Sequence, residues 1–187
     1  MRQRYPIGKI GKLDITADAS AAAGGLLLWV VLSLIGRRLF RLRPTAALTG
    51  GLLATGLHFL SELWHQTGHA RAAAETGYPM TGVHLWGVLG ASIYPRDEPE
   101  LPGEIHVTRA MGGPRASARL AVTGGLLALL TWPLGGIAHM IALLFALENW
   151  LVFTLGAFIP LPFMETDGTI LQRYRQSHRK RTLTIPE

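Results

Sequence analysis

The chemistry-bearing residues concentrate in one stretch, His58-Phe-Leu-Ser-Glu62-Leu-Trp-His65-Gln66-Thr-Gly-His69. At about 100° per residue, an α-helix gathers positions 58, 62, 65 and 69 into an arc of roughly 60°. Three imidazoles and one carboxylate then share one stripe of an otherwise apolar helix. His65 and His69 stand at i and i+4, the spacing of the H-E-x-x-H motif. In that motif two histidines on one helical face bind zinc and the Glu is the general base. Here the ligand positions are kept and the base position is Gln66. An amide does not accept a proton at neutral pH, so Gln66 cannot act as that base. Glu62, three residues before His65, either substitutes for it or hydrogen-bonds a ligand histidine; the second role is preferred. Gln66→Glu nearly conserves side-chain shape, so the helix is expected to tolerate it.

A zinc site needs a third protein ligand. The chain offers Asp167, in Phe158-Ile-Pro160-Leu-Pro-Phe-Met-Glu-Thr-Asp167-Gly168. The prolines end the preceding helix, and Gly168 permits a tight backbone after the carboxylate. Alone, Asp167 reads as the N-cap of a short helix. Beside His65 and His69 it reads as the third ligand. Glu62-x-x-His65 is also the spacing of di-iron carboxylate sites. Those need a second such pair, and Glu148 has no His three residues later. A di-iron oxidase therefore ranks below zinc. The absence of cysteine excludes disulfide scaffolds, thiolate metal sites and cysteine nucleophiles.

These residues must be held by apolar elements. The chain has 187 residues, of which 49% are hydrophobic and 16% charged. An average soluble domain carries about a quarter charged residues. Charge-free runs predict four membrane helices, about 19–36, 46–73, 117–134 and 136–159. Trp132-Pro-Leu-Gly-Gly136 breaks the last two apart. Residues 5–16 read as a short strand pair, and residues 77–94 as a hairpin beside the membrane. Residues 95–104 form an acidic, Pro-rich loop, and residues 106–116 lead into the third span. The expected fold class is an all-α membrane protein with a small membrane-adjacent sheet, in a single domain over 1–187.

The net charge is +6. Its arginines and lysines flank the apolar runs, and the tail 173–187 holds a basic cluster that places it on the cytoplasmic side. Arg37, Arg38, Arg41 and Arg43 lie one span from an N-terminus that is also basic, so four full crossings put one basic group outside. No basic stretch is interleaved with aromatics, so nucleic acid is not an expected partner. The expected partners are the lipid bilayer and a transmembrane or membrane-adjacent protein substrate.

From about Ile7 to about Leu171 the chain resembles the site-2 proteases, zinc metalloproteases that cut substrates within or near the membrane. His65-Gln-Thr-Gly-His69-Ala-Arg-Ala-Ala-Ala-Glu75-Thr-Gly77 is similar to the family's zinc helix. Ala110-Met-Gly-Gly113-Pro114-Arg-Ala-Ser117 resembles its entry into the next span, and Ile7–Ile15 the strand before its first. Pro160 to Gly168 resembles the motif whose Asp is the third zinc ligand. The resemblance implies a helical bundle with a small sheet beside the zinc helix, a Zn²⁺ cofactor and hydrolysis of peptide bonds by a zinc-activated water. The motif's Asn would stand at Ala157; Asn149 lies upstream on the same span. With Gln66 at the base position, the alternative is a non-catalytic relative that binds membrane-protein clients.

Overall fold

The structure, a computed structural model, describes residues 3–160 and 165–174. Pro162 and residues 175–187 of the basic tail lie outside the described residues. Strands β1 (Tyr5–Ile10) and β2 (Leu13–Ala17) form a hairpin that turns at Gly11, where φ is +58°. Strands β3 (Gly82–Trp86) and β4 (Leu89–Ile93) form a second, turning at Gly87 with φ +54°. The two hairpins are one sheet, order β1-β2-β3-β4, because β2 pairs parallel with β3. A parallel pair needs a long crossover. Helices α1 (Ala19–Arg38) and α2 (Pro44–Glu75) supply it. Leu13, Ile15, Val83 and Leu85 bury one face of the sheet against Ala73 of α2 and Met80. Among the described residues no further strand pairs with β4, which lies at the edge of the sheet beside α2.

Helix α3 spans Gly103–Thr131 and α4 spans Gly136–Leu147. The third helix was expected over 117–134 and starts fourteen positions earlier, so residues 106–116 are helical rather than a lead-in. Pro114 suggests a boundary in the sequence. In the fold it sits inside α3, fully buried. Membrane helices accommodate such a proline because neighbouring groups satisfy the freed backbone. The last span was expected as one helix to 159. It changes pitch to a π-helix over Glu148–Leu155 and a 3₁₀ turn over Gly156–Phe158. Such π segments are uncommon and often mark functional sites. Residues 167–174 are helical.

Exposure follows the pattern of a protein in lipid. The outward positions are Leu26, Leu27 and Val30 on α1, Leu52 and Leu60 on α2, and Leu126, Leu129 and Leu130 on α3. The inward positions of these helices are mostly small or polar residues, such as Ala47, Ser61, Glu62, His65 and Ser117, with Met140 and Phe153 among the few large apolar ones. A soluble protein would reverse this arrangement. Among the described residues, three helical stretches are long and apolar enough to cross a membrane, Ala19–Arg38, Gly103–Leu134 and Gly136–Phe158. Helix α2 is long enough but carries the polar stripe. The chain is a membrane protein.

Small residues let these helices touch. A Cβ on Gly51 would collide with Ser33, one on Gly124 would meet Ala146, and Gly68 and Gly112 face each other's carbonyl oxygens across α2 and α3. In lipid, such close backbone contact supplies packing that hydrophobicity cannot.

Candidate metal centre

The Gly68–Gly112 contact fixes what stands opposite the histidine stripe. On α2, His58, Glu62, His65, Gln66 and His69 are all buried. Helix α3 presents Arg109, Gly113 and Ser117 to them. His69 Nδ1 donates to the carbonyl oxygen of Arg109 at 2.8 Å, and His65 Nδ1 lies 3.0 Å from Ser117 Oγ. With its Nδ1 proton committed to a carbonyl, neutral His69 carries a bare lone pair on Nε2. The two Nε2 atoms face each other at 3.0 Å. A Cβ on Gly113 would run into both, so glycine keeps that space open.

Asp167 completes the group. Its Oδ2 lies 3.6 Å from His69 Nε2 and 3.8 Å from His65 Nε2. The three ligand atoms fall within 4.8 Å of one another. Burial, with the Glu62 charge adding to it, pushes the Asp167 carboxyl up to about 8. Two ring nitrogens and a carboxylate converging at one point of a cleft suit a cation, and the donor set suits Zn²⁺ in an open site. Asp167 is not the N-cap of its helix. Thr166 is: its Oγ1 accepts from Thr169 N at 3.2 Å and donates to Ile159 O at 3.0 Å. That leaves the Asp167 carboxylate for the histidines.

The remaining expected residues take structural positions. Gly168 packs on the backbone of Phe158, where a Cβ would collide. Pro160 is exposed and near none of the three groups by any described contact. Asn149, fully buried in the π segment, donates to Ser61 Oγ at 3.0 Å and to Phe145 O at 2.9 Å. His58 pairs with Glu148 and reaches Val88 O at 2.6 Å. The rings of His65 and Phe153 lie 5.8 Å apart, so the π segment forms a wall of the site.

Gln66 is held by contacts specific to an amide. Its Nε2 donates to Glu62 Oε1 at 2.9 Å and to Gly90 O at 3.1 Å, while its Oε1 accepts from Ser92 Oγ at 2.8 Å. Glu62 bonds Gln66 and no ligand histidine among the described contacts. The expectation that Gln66→Glu is tolerated rests on shape alone, and these contacts add a polar cost to it. A carboxyl at 66 would face that of Glu62, so one of the two would have to keep a proton, and the Gly90 carbonyl would lose its amide donor. Sequence reasoning missed Ser92, Gly90, Ser117 and the Arg109 carbonyl. Of these only Ser117 stood in a quoted motif.

All five buried α2 groups except His58 line a cleft of about 810 Å³. Its other walls are β4 from Leu89 to Ser92, Phe153 of the π segment, and Glu98, His106 and Arg109. Arg109 anchors the acidic loop there. It donates to Glu98 at 3.0 and 2.5 Å and to Tyr78 O at 2.6 Å, with its guanidinium 4.2 Å over the Tyr94 ring.

No family model matches the chain, and no curated protein matches it in sequence. Its fold matches that of the site-2 protease from Methanocaldococcus jannaschii, with a TM-score of 0.62 and 17% identity. The match covers 95% of this chain and 73% of that one. The protein is thus a helical membrane protein with a small four-stranded sheet and the site-2 protease fold.

Proposed function

We propose that this protein is a membrane-embedded zinc peptidase of the site-2 protease type, acting on a segment of a membrane protein. The observation that carries the reading is the convergence of His65, His69 and Asp167 in a cleft beside the edge strand β4. These three residues would hold Zn²⁺, which supplies the Lewis acidity that activates a water and polarises a peptide carbonyl. The edge of β4, apart from the Gly90 carbonyl that Gln66 occupies, offers backbone donors and acceptors to an extended peptide. Such a peptide must leave its helical form to expose a bond, and the sheet edge gives it a place to do so. In this reading the single domain 1–187 crosses the bilayer four times, with the tail 173–187 cytoplasmic.

Gln66 favours a second reading, a protease-like protein that binds membrane-protein clients without cutting them. Its amide is bonded on both sides by groups that a carboxylate would not satisfy. Metal analysis with a cleavage assay separates the two. Purified protein should hold about one zinc per chain, and Asp167→Ala should lose most of it. Equal zinc in both would sink the metal centre. Zinc with cleavage of a membrane-helix substrate supports the peptidase; zinc without cleavage supports the client binder. Iron with an optical band would restore the di-iron alternative.

A further inference from the structure

Asp167 opens a helix described over residues 167–174. Its place in the cleft depends on the contacts that anchor it. Two are local in the chain: Thr166 Oγ1 donates to Ile159 O at 3.0 Å, and Gly168 rests on the Phe158 backbone. Both fix only the start of the helix, and both lean on the segment that precedes it. The exposed Glu165–Arg173 pair at 2.9 Å contributes little in solvent.

The last described turn is held by Tyr174. Its ring covers Gly103, the first residue of α3; a Cβ there would lie 2.6 and 3.0 Å from ring carbons. Its hydroxyl donates to Glu104 Oε1 at 3.3 Å. Helix α3 also orients both histidines, through the Arg109 carbonyl and Ser117. All three converging groups therefore take their positions from one helix, at residues 103–104, 109 and 117.

We infer that Tyr174 is a positioning residue for Asp167, latching its helix to the first turn of α3 so that the third metal ligand stays in reach of the two histidines. This rests on the metal reading above. Side chains that orient metal ligands commonly govern affinity about as strongly as 10–100-fold.

The test is a titration of the full chain with Zn²⁺ against a competing chelator. Tyr174→Ala should weaken binding roughly 10–100-fold. Tyr174→Phe keeps the ring on Gly103 and should retain most of the affinity. In an Asp167→Ala background, Tyr174→Ala should cost nothing more, because its effect passes through that carboxylate. Unchanged affinity in Tyr174→Ala, or a loss that simply adds to that of Asp167→Ala, overturns the latch. A second measurement stands apart from metal. The chain has no cysteine, so Ile170→Cys, on the cleft-facing side of this helix, gives a single thiol. Its labelling should speed up in the Tyr174→Ala background and not in Tyr174→Phe. If the parent binds no zinc, the metal reading falls, and the labelling rate alone decides whether Tyr174 holds the helix. Equal rates in all three backgrounds reject it.

Discussion

Two corners of the same cleft are built on α2, one turn apart, and they differ in kind. At His65 and His69 the outer ring nitrogens are tied to α3 and the inner ones converge with Asp167. At Glu62 and Gln66 the side chains are tied to each other and to β4. The first corner gathers ligand atoms around a gap; the second uses up its hydrogen-bonding capacity. In the proposed reading, holding a metal and moving a proton are therefore separate tasks. The first corner has the geometry to hold a cation, whereas in the second the amide and the carboxylate satisfy each other.

The sharpest way to break that contrast is to exchange the two side chains. Gln66→Glu alone places two carboxylates in contact, so one must keep its proton. Glu62→Gln with Gln66→Glu restores the amide-to-carboxylate hydrogen bond with its direction reversed and moves the carboxylate next to His65. A positioned general base is worth about 10²–10⁴-fold, or about 3–5 kcal/mol of barrier. The double variant should raise cleavage of a membrane-helix substrate by that order, and Gln66→Glu alone by less. If the parent already cleaves and the exchange abolishes cleavage, Glu62 is the working base. If zinc is bound and neither variant cleaves any substrate offered, the second corner is not a catalytic one and client binding stands.

A smaller effect is expected at the first corner. Ser117 is fully buried and touches His65 Nδ1. Ser117→Ala leaves all three ligand atoms in place but frees the His65 ring to rotate. Zinc affinity should fall roughly 10–100-fold, with little loss of helix content by circular dichroism. The same substitution should not change the environment of Gln66. A shift in the Gln66 side-chain amide signals by NMR as large as that at His65 would mean the two corners are one network after all.

The contrast also explains what the sequence disclosed. His65, His69 and Asp167 were legible because metal chemistry demands particular residue types, and the i, i+4 spacing places two of them on one face. Their supports were less so. The bond to His69 comes from the backbone carbonyl of Arg109, and a carbonyl has no residue signature. Ser92 and Gly90 reach Gln66 only because β4 lies along α2, a contact that local patterning cannot anticipate. The two hairpins were readable as turns and short apolar runs, whereas their union depends on β2 meeting β3 across two intervening helices. The early start of α3 was hidden by Pro114, which breaks helices in water but is tolerated where neighbours pack against it. The role of Gly68 and Gly112 is a matter of interhelical distance. The basic tail, the strongest orientation signal in the sequence, lies largely beyond the described residues.

The smallest expected effect concerns the rim joining loop 95–102 to the first corner. Arg109 is buried, hydrogen-bonds Glu98 through both terminal nitrogens, and offers its carbonyl to His69. Hydrogen bonding to Arg109 holds the Glu98 carboxyl below the usual carboxylate range. The sign follows from that direction. A carboxyl whose folded value is depressed stabilises the folded form fully above its unfolded value, and that contribution is lost as pH falls through the folded value. The loop should thus stay docked at neutral pH and loosen only in acid, at a pH under the ordinary range for glutamate. The guanidinium signals of Arg109, followed by ¹⁵N NMR, should move over that acidic window. In Glu98→Gln they should start displaced and show no such transition. The Arg109 carbonyl belongs to α3 and not to the loop, so the His69 contact should survive loop release, with zinc affinity at neutral pH in Glu98→Gln within a few-fold of the parent. A large loss of zinc in that variant would show that the acidic loop, and not α3 alone, sets the histidine corner.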